Sequence, residues 1–252
     1  MQRLNNLLPS VLVIAVLIGT WWLAVRVTHS AIFPTPWDVA TGTAQLIQDG
    51  SLWRHIGASL MRVGAGFGLA VCIGVPLGLW MGWVRSAYRM LNPLFQILRP
   101  ISPIAWIPIA ILWFGVGDAS PVYLIFISSV FPMIVQTVVG VHTIEKRYLR
   151  AAENFGVPHH TLFLRVVIPA VLPQILVGMR IGLGVAWLVV VAAEMIALHS
   201  GLGYMIMDSR NAGNSYDLVV AGMIIIGLIG LSLDGLMRTL ERVPWARWRY
   251  AH

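Results

Sequence analysis

Six long apolar segments run through this chain of 252 residues, with polar stretches between them. A helix needs about 20 mainly apolar residues to cross the ~30 Å hydrocarbon core of a bilayer, and each segment is about that long. Since 58% of the residues are hydrophobic and only 11% are charged, the composition favours an integral membrane protein. We predict an all-α polytopic fold of one domain, with transmembrane spans at 7–27, 60–84, 97–116, 122–141, 174–198 and 218–236.

The basic residues predict how these spans are oriented. Six spans place both termini on one side, and cytoplasmic loops are usually rich in Lys and Arg. With cytoplasmic termini, four basic residues lie outside (Arg26, Arg54, Arg62 and Arg210) and eleven lie inside, namely Arg3, Arg85, Arg89, Lys146, Arg147, Arg150, Arg165, Arg238, Arg242, Arg247 and Arg249. Arg99 and Arg180 are expected near inner helix ends, where their side chains reach the interface. We therefore predict a cytoplasmic loop over 142–173 and a cytoplasmic tail over 237–252.

Two of the spans have irregular sequences. The second carries Gly74, Gly78 and Gly82 at intervals of four, a pattern that lets another helix approach closely and that would suit a homodimer. The third, RPISPIAWIPIAILWFGVG, holds three prolines, each of which removes an intrahelical hydrogen bond. Such backbone is tolerated in a membrane beside protein or water, so this span either lines a pathway or is a kinked structural helix.

Glu194 is the one acidic residue inside a predicted span. A charge in mid-bilayer is costly, so such residues usually face a cavity or a partner, and we predict a carboxylate that faces the pathway. The alternative is that the fifth span ends early, which would leave Glu194 near the outer interface with Arg210 or helix ends as its partners.

Several classes of function lack their residues in this sequence. The phosphate-binding loop of ATPases needs Gly-x-x-x-x-Gly-Lys-Ser/Thr, and the chain's one lysine, Lys146, stands in the context IEKRY. His159 and His160 are adjacent and make a poor metal site, Cys72 is alone, and no catalytic spacing is present. We expect neither an enzyme nor a metal site, and we attribute the net charge of +7 to membrane loops rather than to nucleic-acid binding.

The polar stretch between the fourth and fifth spans predicts a docking element. Residues 145–155 have helical composition, and Gly156 with Pro158 then forces a turn. A second short helix over 160–168 would end before Pro169. A helix, a turn and another helix on one face of a membrane protein indicate a soluble partner.

This stretch resembles the cytoplasmic loop of ABC importer permeases, whose pattern is Glu-Ala-Ala, three residues, Gly, nine residues and Ile-x-Leu-Pro. Arg150, Ala151 and Ala152 occupy the first slot, Gly156 the glycine, and 166–169 the end, so the spacing agrees at every step. The chain departs from the pattern at Arg150, which replaces the glutamate, and at Val166 and Ile168; Glu153 is the nearest alternative carboxylate. The resemblance covers roughly 30–241 and looks closest to the nitrate, alkanesulfonate, taurine and bicarbonate branch, on the stretches FPTPWDV, SLMRVGAGF, RPISPIAWIPIAILWFGVG, VAAEMI and SGLGYMIMDSRNA.

This resemblance implies a type I importer in the bacterial inner membrane. Two permease subunits, expected to be identical, would work with two cytoplasmic ATPases that bind ATP and Mg²⁺ and with an extracytoplasmic binding protein. The chain itself would bind no cofactor, and its first span would lie outside a five-helix core. The residues expected to couple it to the ATPase are Arg150, Ala151, Ala152, Glu153, Gly156 and Pro169. The pathway would lie at the subunit interface, lined by spans three and five, and the residues expected along it are Arg62, Ser102, Trp106 and Glu194.

A stand-alone channel or secondary transporter is the alternative, because the proline-rich span and Glu194 would also serve a conduction path. The halves of the chain show no inverted repeat, and this alternative leaves the docking loop unexplained. The solute stays open, because specificity in the resembled family resides largely in the binding protein.

Overall fold

The computed structural model describes residues 2–28, 33–213 and 215–241, so the part of the predicted tail beyond 241 lies outside the described residues. Within these ranges the chain forms eleven α-helices and no strand. They are α1 (Gln2–Thr28), α2 (Pro36–Gln48), α3 (Ser51–Trp83), α4 (Arg85–Leu98), α5 (Ile107–Phe114), α6 (Ala119–His142), α7 (Lys146–Asn154), α8 (His159–Leu162), α9 (Ile168–Ala197), α10 (Leu202–Gly213) and α11 (Tyr216–Glu241). A 3₁₀ turn, Pro103–Trp106, precedes α5, and a π turn, Phe163–Val167, joins α8 to α9.

Five helical segments are long and apolar enough to cross a membrane: α1, α3, α6, the run from α8 through α9, and α11. The pair formed by α4 and the segment Pro103–Phe114 passes the same test as a sixth, broken span. The predicted all-α polytopic fold is thereby confirmed. Helix α6 is the most buried of the spans and packs between α3 and α9. α1 lies outside this core, and most of its described apolar side chains are exposed.

The glycines of α3 explain the close contact between α3 and α6. A Cβ at Gly78 would lie 2.7 Å from the Cβ of Thr137, and a Cβ at Gly82 would lie 2.7 Å from the Cβ of Val141. Gly74 faces Val130 and Met133 of the same helix. The predicted close approach is therefore present, but its partner is α6 of the same chain. The interpretation of these glycines as a homodimer face is wrong.

The third predicted span is not one helix. α4 and the segment Pro103–Phe114 are bent by 89° relative to each other, and Arg99 to Ser102 form the turn between them. Ser102, directly before Pro103, has a non-helical ψ of 133°, because proline disfavours helical backbone in the residue before it. Pro108, in contrast, lies in the first turn of α5, where its missing N–H costs nothing. The single span predicted at 97–116 is replaced by a broken pair that begins at α4.

Ring contacts fix the course of α4 along α6. Tyr88 packs against His142 with ring centroids 5.2 Å apart, and Phe95 packs against Phe131 at 5.8 Å. His142 ends α6, whereas Phe131 lies at its middle. α4 therefore runs along α6 from the end of this helix to its middle. The break after α4 lies at half the depth of the core.

Two helices that the sequence analysis did not predict, α2 and α10, lie at the other end of the core. α2 begins with a capping box, in which Thr35 and Asp38 bond each other's backbone N–H, and hydrogen bonds from Thr35 lower the pKa of Asp38. α10 follows directly on α9, whose other end joins α8 and α7. We name the two ends of the core the α10 end and the α7 end.

Candidate functional site

A helical elbow projects at the α7 end, where the docking element is predicted. Gly156 ends α7 in the left-handed conformation, with φ of +70°, and a Cβ at this position would have no neighbouring atom within 4 Å. The N–H of Val157 donates to the carbonyl of Ala152 at 3.1 Å, which makes the six-residue closure of a Schellman motif. The glycine thus provides the turn that the sequence predicts.

α7 presents one polar face and one face that packs on the core. Leu149 packs against a buried cluster that includes Val167 and Val171, and Ala152, three residues on, is half-buried. The opposite face consists of two rows spaced by four residues: Lys146, Arg150 and Asn154, and Arg147, Ala151 and Phe155. All six are exposed, Phe155 to 87%.

The expected coupling residues therefore divide between two faces. Arg150 and Ala151 point outward, whereas Ala152 turns toward the core. Pro169 lies half-buried in the first turn of α9. The backbone of Glu153 lies in α7, but its side chain lies outside what the structure describes. The outward face has two exposed cations beside Arg147, which is itself paired with Glu145.

Near the α10 end, Arg62 of α3 is the centre of a buried hydrogen-bond cluster. Its Nη1 donates to Oε1 of Glu194 at 2.7 Å and to the carbonyl of Ser200 at 2.8 Å. Its Nη2 donates to Oγ of Ser200 at 2.5 Å, and its Nε donates to Oδ1 of Asp118 at 2.8 Å. The side chains of Arg62 and Glu194 are 2% and 0% exposed, whereas that of Asp118 is 58% exposed. Every nitrogen of this guanidinium has an acceptor in the protein.

The carboxylate of Glu194 has protein donors at both oxygens. Besides the bond from Arg62, the hydroxyl of Ser59 lies 2.8 Å from Oε1 and 2.9 Å from Oε2. The backbone N–H of Gly203, in the first turn of α10, donates to Oε2 at 3.0 Å. The first N–H groups of a helix have no acceptor within it and carry partial positive charge, so a carboxylate here stabilises α10.

The segment that enters α10 is held by two further backbone bonds. The N–H of Leu202 donates to Oγ of Ser59 at 3.0 Å, and the N–H of Gly201 donates to Nδ1 of His55 at 3.1 Å. Gly201 has φ of +108°, and a Cβ there would overlap the carboxylate of Glu194. This arrangement clamps the start of α10 onto α3 and α9, and it explains the glycine in Ser-Gly-Leu-Gly.

The four predicted pathway residues do not meet in one place. Arg62 and Glu194 form the clamp together, with Arg62 rather than Arg210 as the partner of Glu194. Trp106 lines a cavity of about 190 Å³ beside the break between α4 and α5, and Ser102, in the break, is exposed. Arg99 also lines this cavity. It ends α4 level with the middle of α6, and not near the inner ends of the spans where it was expected.

The sequence analysis missed several residues of these sites. Asp118, Ser59 and Ser200 are common polar residues at predicted helix ends, and nothing local marks them as partners of Arg62. Arg99 does carry a signal, because no Asp or Glu occurs anywhere in residues 50–117. An arginine in so long an acid-free stretch has no local partner for its charge.

Residues 74–243 match the family described as binding-protein-dependent transport system inner membrane component. A probable ABC transporter permease of Brucella melitensis is 40% identical over 95% of this chain and 97% of its own length. The taurine transport system permease of Escherichia coli is 34% identical over 92% of this chain and 87% of its own, and the nitrate import permease of Leptolyngbya laminosa is 34% identical over 94% and 87%.

Among solved structures, the methionine ABC transporter MetNI in an inward-facing conformation has a chain that aligns with a TM-score of 0.62 and 18% identity. The alignment covers 76% of this chain and 96% of that one, and it supports the fold. The chain therefore belongs to the family of binding-protein-dependent transport system inner membrane components, as a non-catalytic, multi-pass ABC importer permease that works with a separate ATPase and a substrate-binding protein.

Proposed function

We propose that two copies of this chain, two ATPase subunits and an extracytoplasmic binding protein import a small oxyanion such as nitrate, an alkanesulfonate, taurine or bicarbonate. The termini and the α7 end face the cytoplasm, and the α10 end faces the outside. The observation that carries the proposal is the elbow at Gly156, which ends a helix that packs on the core by one face and exposes the other, with Phe155 at its tip. The relatives that are named for taurine and nitrate support the proposed substrate class.

In this proposal α7 seats in a groove of the ATPase. Ala151 lies between the bulkier exposed residues of the outward face and lets the helix approach closely, while Arg150 and Lys146 favour carboxylates on the partner. ATP and Mg²⁺ bind to the ATPase. Closure of the ATPase dimer moves α7, and because Leu149 packs on the core, the movement passes to α9 and α6 as a rigid-body change.

The clamp at the α10 end keeps the outer segments together during this movement. Arg62 joins α3, α6 and α9 through Asp118 and Glu194, and Glu194 holds the start of α10. A cluster with hydrogen bonds on all sides changes its geometry only at high cost, so these four helices move as one unit.

The test uses two glycines with matched backbone strain. Gly156 and Gly50 have φ of +70° and +69°, and a Cβ at either position would have no atom within 4 Å, yet the two glycines lie at opposite ends of the molecule. Gly156→Val and Gly50→Val therefore impose similar local strain. Each variant is purified with the ATPase from its native membrane, and ATP-driven uptake is measured in proteoliposomes with the binding protein.

We expect Gly156→Val to lose the ATPase or its coupled uptake, and Gly50→Val to keep both. Full uptake by Gly156→Val would contradict the docking role of the elbow. Solute flux through the chain alone, without ATP, would instead support the channel alternative. Uptake of a solute that is not an oxyanion would leave the importer in place and overturn the substrate class.

A further inference from the structure

The cavity beside the break between α4 and α5 lies at half the depth of the membrane core. Its wall includes Arg99 and Trp106 from the broken span, Ser128 and Phe131 from α6, and Val185 from α9. α6 is about 36 Å long at 1.5 Å per residue, and Ser128 and Phe131 flank its midpoint. The cavity thus lies between the third and fifth spans and far from either membrane surface.

Arg99 has no partner for its charge among the described residues. It forms no ion pair and no side-chain hydrogen bond there, and the nearest acidic residues in the sequence are Asp49 and Asp118. Asp118 is bonded to Arg62 near the α10 end. A cation at mid-membrane depth without a partner is costly, and such residues typically mark a path for an ion or substrate.

Arg180, near the middle of α9, is in contrast paired with carboxylates of α11. Nε of Arg180 donates to Oδ1 of Asp234 at 2.7 Å, and its Nη1 lies 3.5 Å from a carboxylate oxygen of Glu241. Arg62 is paired as well. The difference at Arg99 is therefore local to the cavity and is not a general property of this sequence.

The other groups at the cavity suit an anion of a few atoms. Its volume of about 190 Å³ equals roughly six water molecules at ~30 Å³ each. The indole N–H of Trp106 has no acceptor in the described part of the chain, whereas the hydroxyl of Ser128 already donates to the carbonyl of Ile125 at 2.9 Å. Phe131, Pro132 and Val185 supply apolar walls, and a charge interaction is stronger beside such walls than in water.

We propose that Arg99 and Trp106 form a station on the translocation path that binds the transported oxyanion through the guanidinium. This inference rests on the proposed function. The planar guanidinium offers two parallel N–H donors to two oxygens of a nitrate, carboxylate or sulfonate group. A station needs an unpaired cation, since a bonded carboxylate neutralises most of an arginine's charge and takes up part of its five N–H donors, as at Arg62. The lipid phosphates at the membrane surface do not reach half the depth of α6.

The first test is ATP-driven uptake of nitrate, taurine and methanesulfonate by the full importer in proteoliposomes. We expect Arg99→Gln to keep its ATPase and to lower uptake by roughly tenfold or more, and Arg99→Lys to lower it less, because an ammonium keeps the charge without the planar fork. Arg89→Gln is the control, since Arg89 is an exposed arginine of α4, ten residues before Arg99 and nearer the α7 end.

The second test measures the electrostatic effect of Arg99 at the cavity by the rate of thiol modification and does not depend on transport. Cys72 is the chain's one cysteine, so Cys72→Ser with Ile101→Cys places a single thiol in the cavity wall, at a residue that is 40% exposed. Two thiosulfonate reagents are compared, one with an ethylsulfonate group and one with a trimethylammonium group. We expect the anionic reagent to react faster, this preference to fall several-fold with Arg99→Gln, and methanesulfonate to protect the thiol.

The outcomes separate the two proposals. If wild type imports an oxyanion and Arg99→Gln imports it equally well, the station is overturned and the proposed function stands. If wild type imports none of the three oxyanions although its ATPase responds to the binding protein, the substrate class fails and the station fails with it. If Arg99→Gln does not assemble, uptake by Arg99→Lys and the rate preference for the anionic thiol reagent decide the question. The station is overturned if that rate preference depends neither on Arg99 nor on added anion.

Discussion

Arg62 and Arg99 both lie in segments that pass through the membrane core, and their surroundings are opposite. Arg62 is 2% exposed and bonds Glu194, Asp118 and Ser200, so all three of its nitrogens have acceptors. Arg99 lies at a break in the helix beside a cavity and has no acceptor in the described chain. The first arrangement stabilises the fold, because a paired and hydrogen-bonded charge holds helices together. The second leaves donors available for something that is not part of the chain.

The largest expected effect is the loss of stability on Arg62→Leu. The change leaves Glu194 as an unpaired buried carboxylate and removes the bonds to Asp118 and Ser200. Breaking a buried pair from one side costs about 3–5 kcal/mol. We expect the free energy of unfolding in detergent to fall by about that amount, while Arg54→Leu, an exposed arginine earlier in α3, changes it little. Equal stability of the two variants would show that the clamp does not stabilise the fold.

Gly201→Ala should have the next largest effect on stability, since it disturbs the same hydrogen-bond cluster by a change at the backbone. An alanine Cβ would overlap the carboxylate of Glu194, and φ of +108° is strained for any residue with a side chain. We expect a loss of about 2–4 kcal/mol in the same unfolding measurement. Gly50→Ala, with φ of +69° and open space around it, should lose only about 1 kcal/mol. Similar losses in both would mean that backbone strain alone acts.

Arg99→Leu tests the other half of the comparison and should act in the opposite direction. The change removes an unpaired charge from mid-membrane depth, so we expect stability to stay unchanged or to rise by up to about 2 kcal/mol, with uptake of the substrate lost. Unfolding in detergent and uptake in proteoliposomes are measured on the same preparation. A drop in stability as large as that of Arg62→Leu would show that Arg99 has structural partners.

The elbow at Gly156 was predictable from the sequence, whereas the clamp was not. A glycine turn depends on consecutive residues, so the local pattern around Gly156 and Pro158 sufficed. The pair of Arg62 and Glu194 joins residues 132 positions apart, and only the packing of α3 against α9 brings them together. The sequence analysis therefore identified each of the two residues separately and could not show that they bond to each other.

The spans show the same division between local and tertiary information. Apolar length predicted the membrane helices, because each needs only its own residues to cover a bilayer. The prolines after Arg99 predicted an irregular third span, but α4 was missed since Arg85, Arg89, Asn92 and Gln96 make it amphipathic rather than apolar. The small residues of α3 predicted a close helix partner without naming it, and only the structure identifies that partner as α6.

Glu194→Gln separates a structural carboxylate from one that acts on the path. The amide keeps the size of the side chain but loses the charge that faces Arg62 and the N–H of Gly203. We expect stability to fall by about 1–3 kcal/mol, while uptake for each folded importer stays near that of wild type. Uptake is therefore normalised to the amount of assembled complex. A stable variant that fails to transport would place Glu194 on the path after all.

Asp118→Asn should have the smallest effect, although Asp118 bonds the same guanidinium as Glu194 does. Its side chain is 58% exposed, so water solvates the carboxylate and weakens the attraction, and exposed ion pairs contribute about 0–1 kcal/mol. We expect a loss of stability within that range, and added salt should reduce this loss further, because salt screens solvent-exposed charges. Salt ions do not reach Glu194, which is fully buried. Unfolding of Asp118→Asn and Glu194→Gln is compared at low and high salt. A loss as large and as insensitive to salt as that of Glu194→Gln would mean that the two carboxylates share the charge of Arg62 equally, and that burial does not decide which of them holds the clamp.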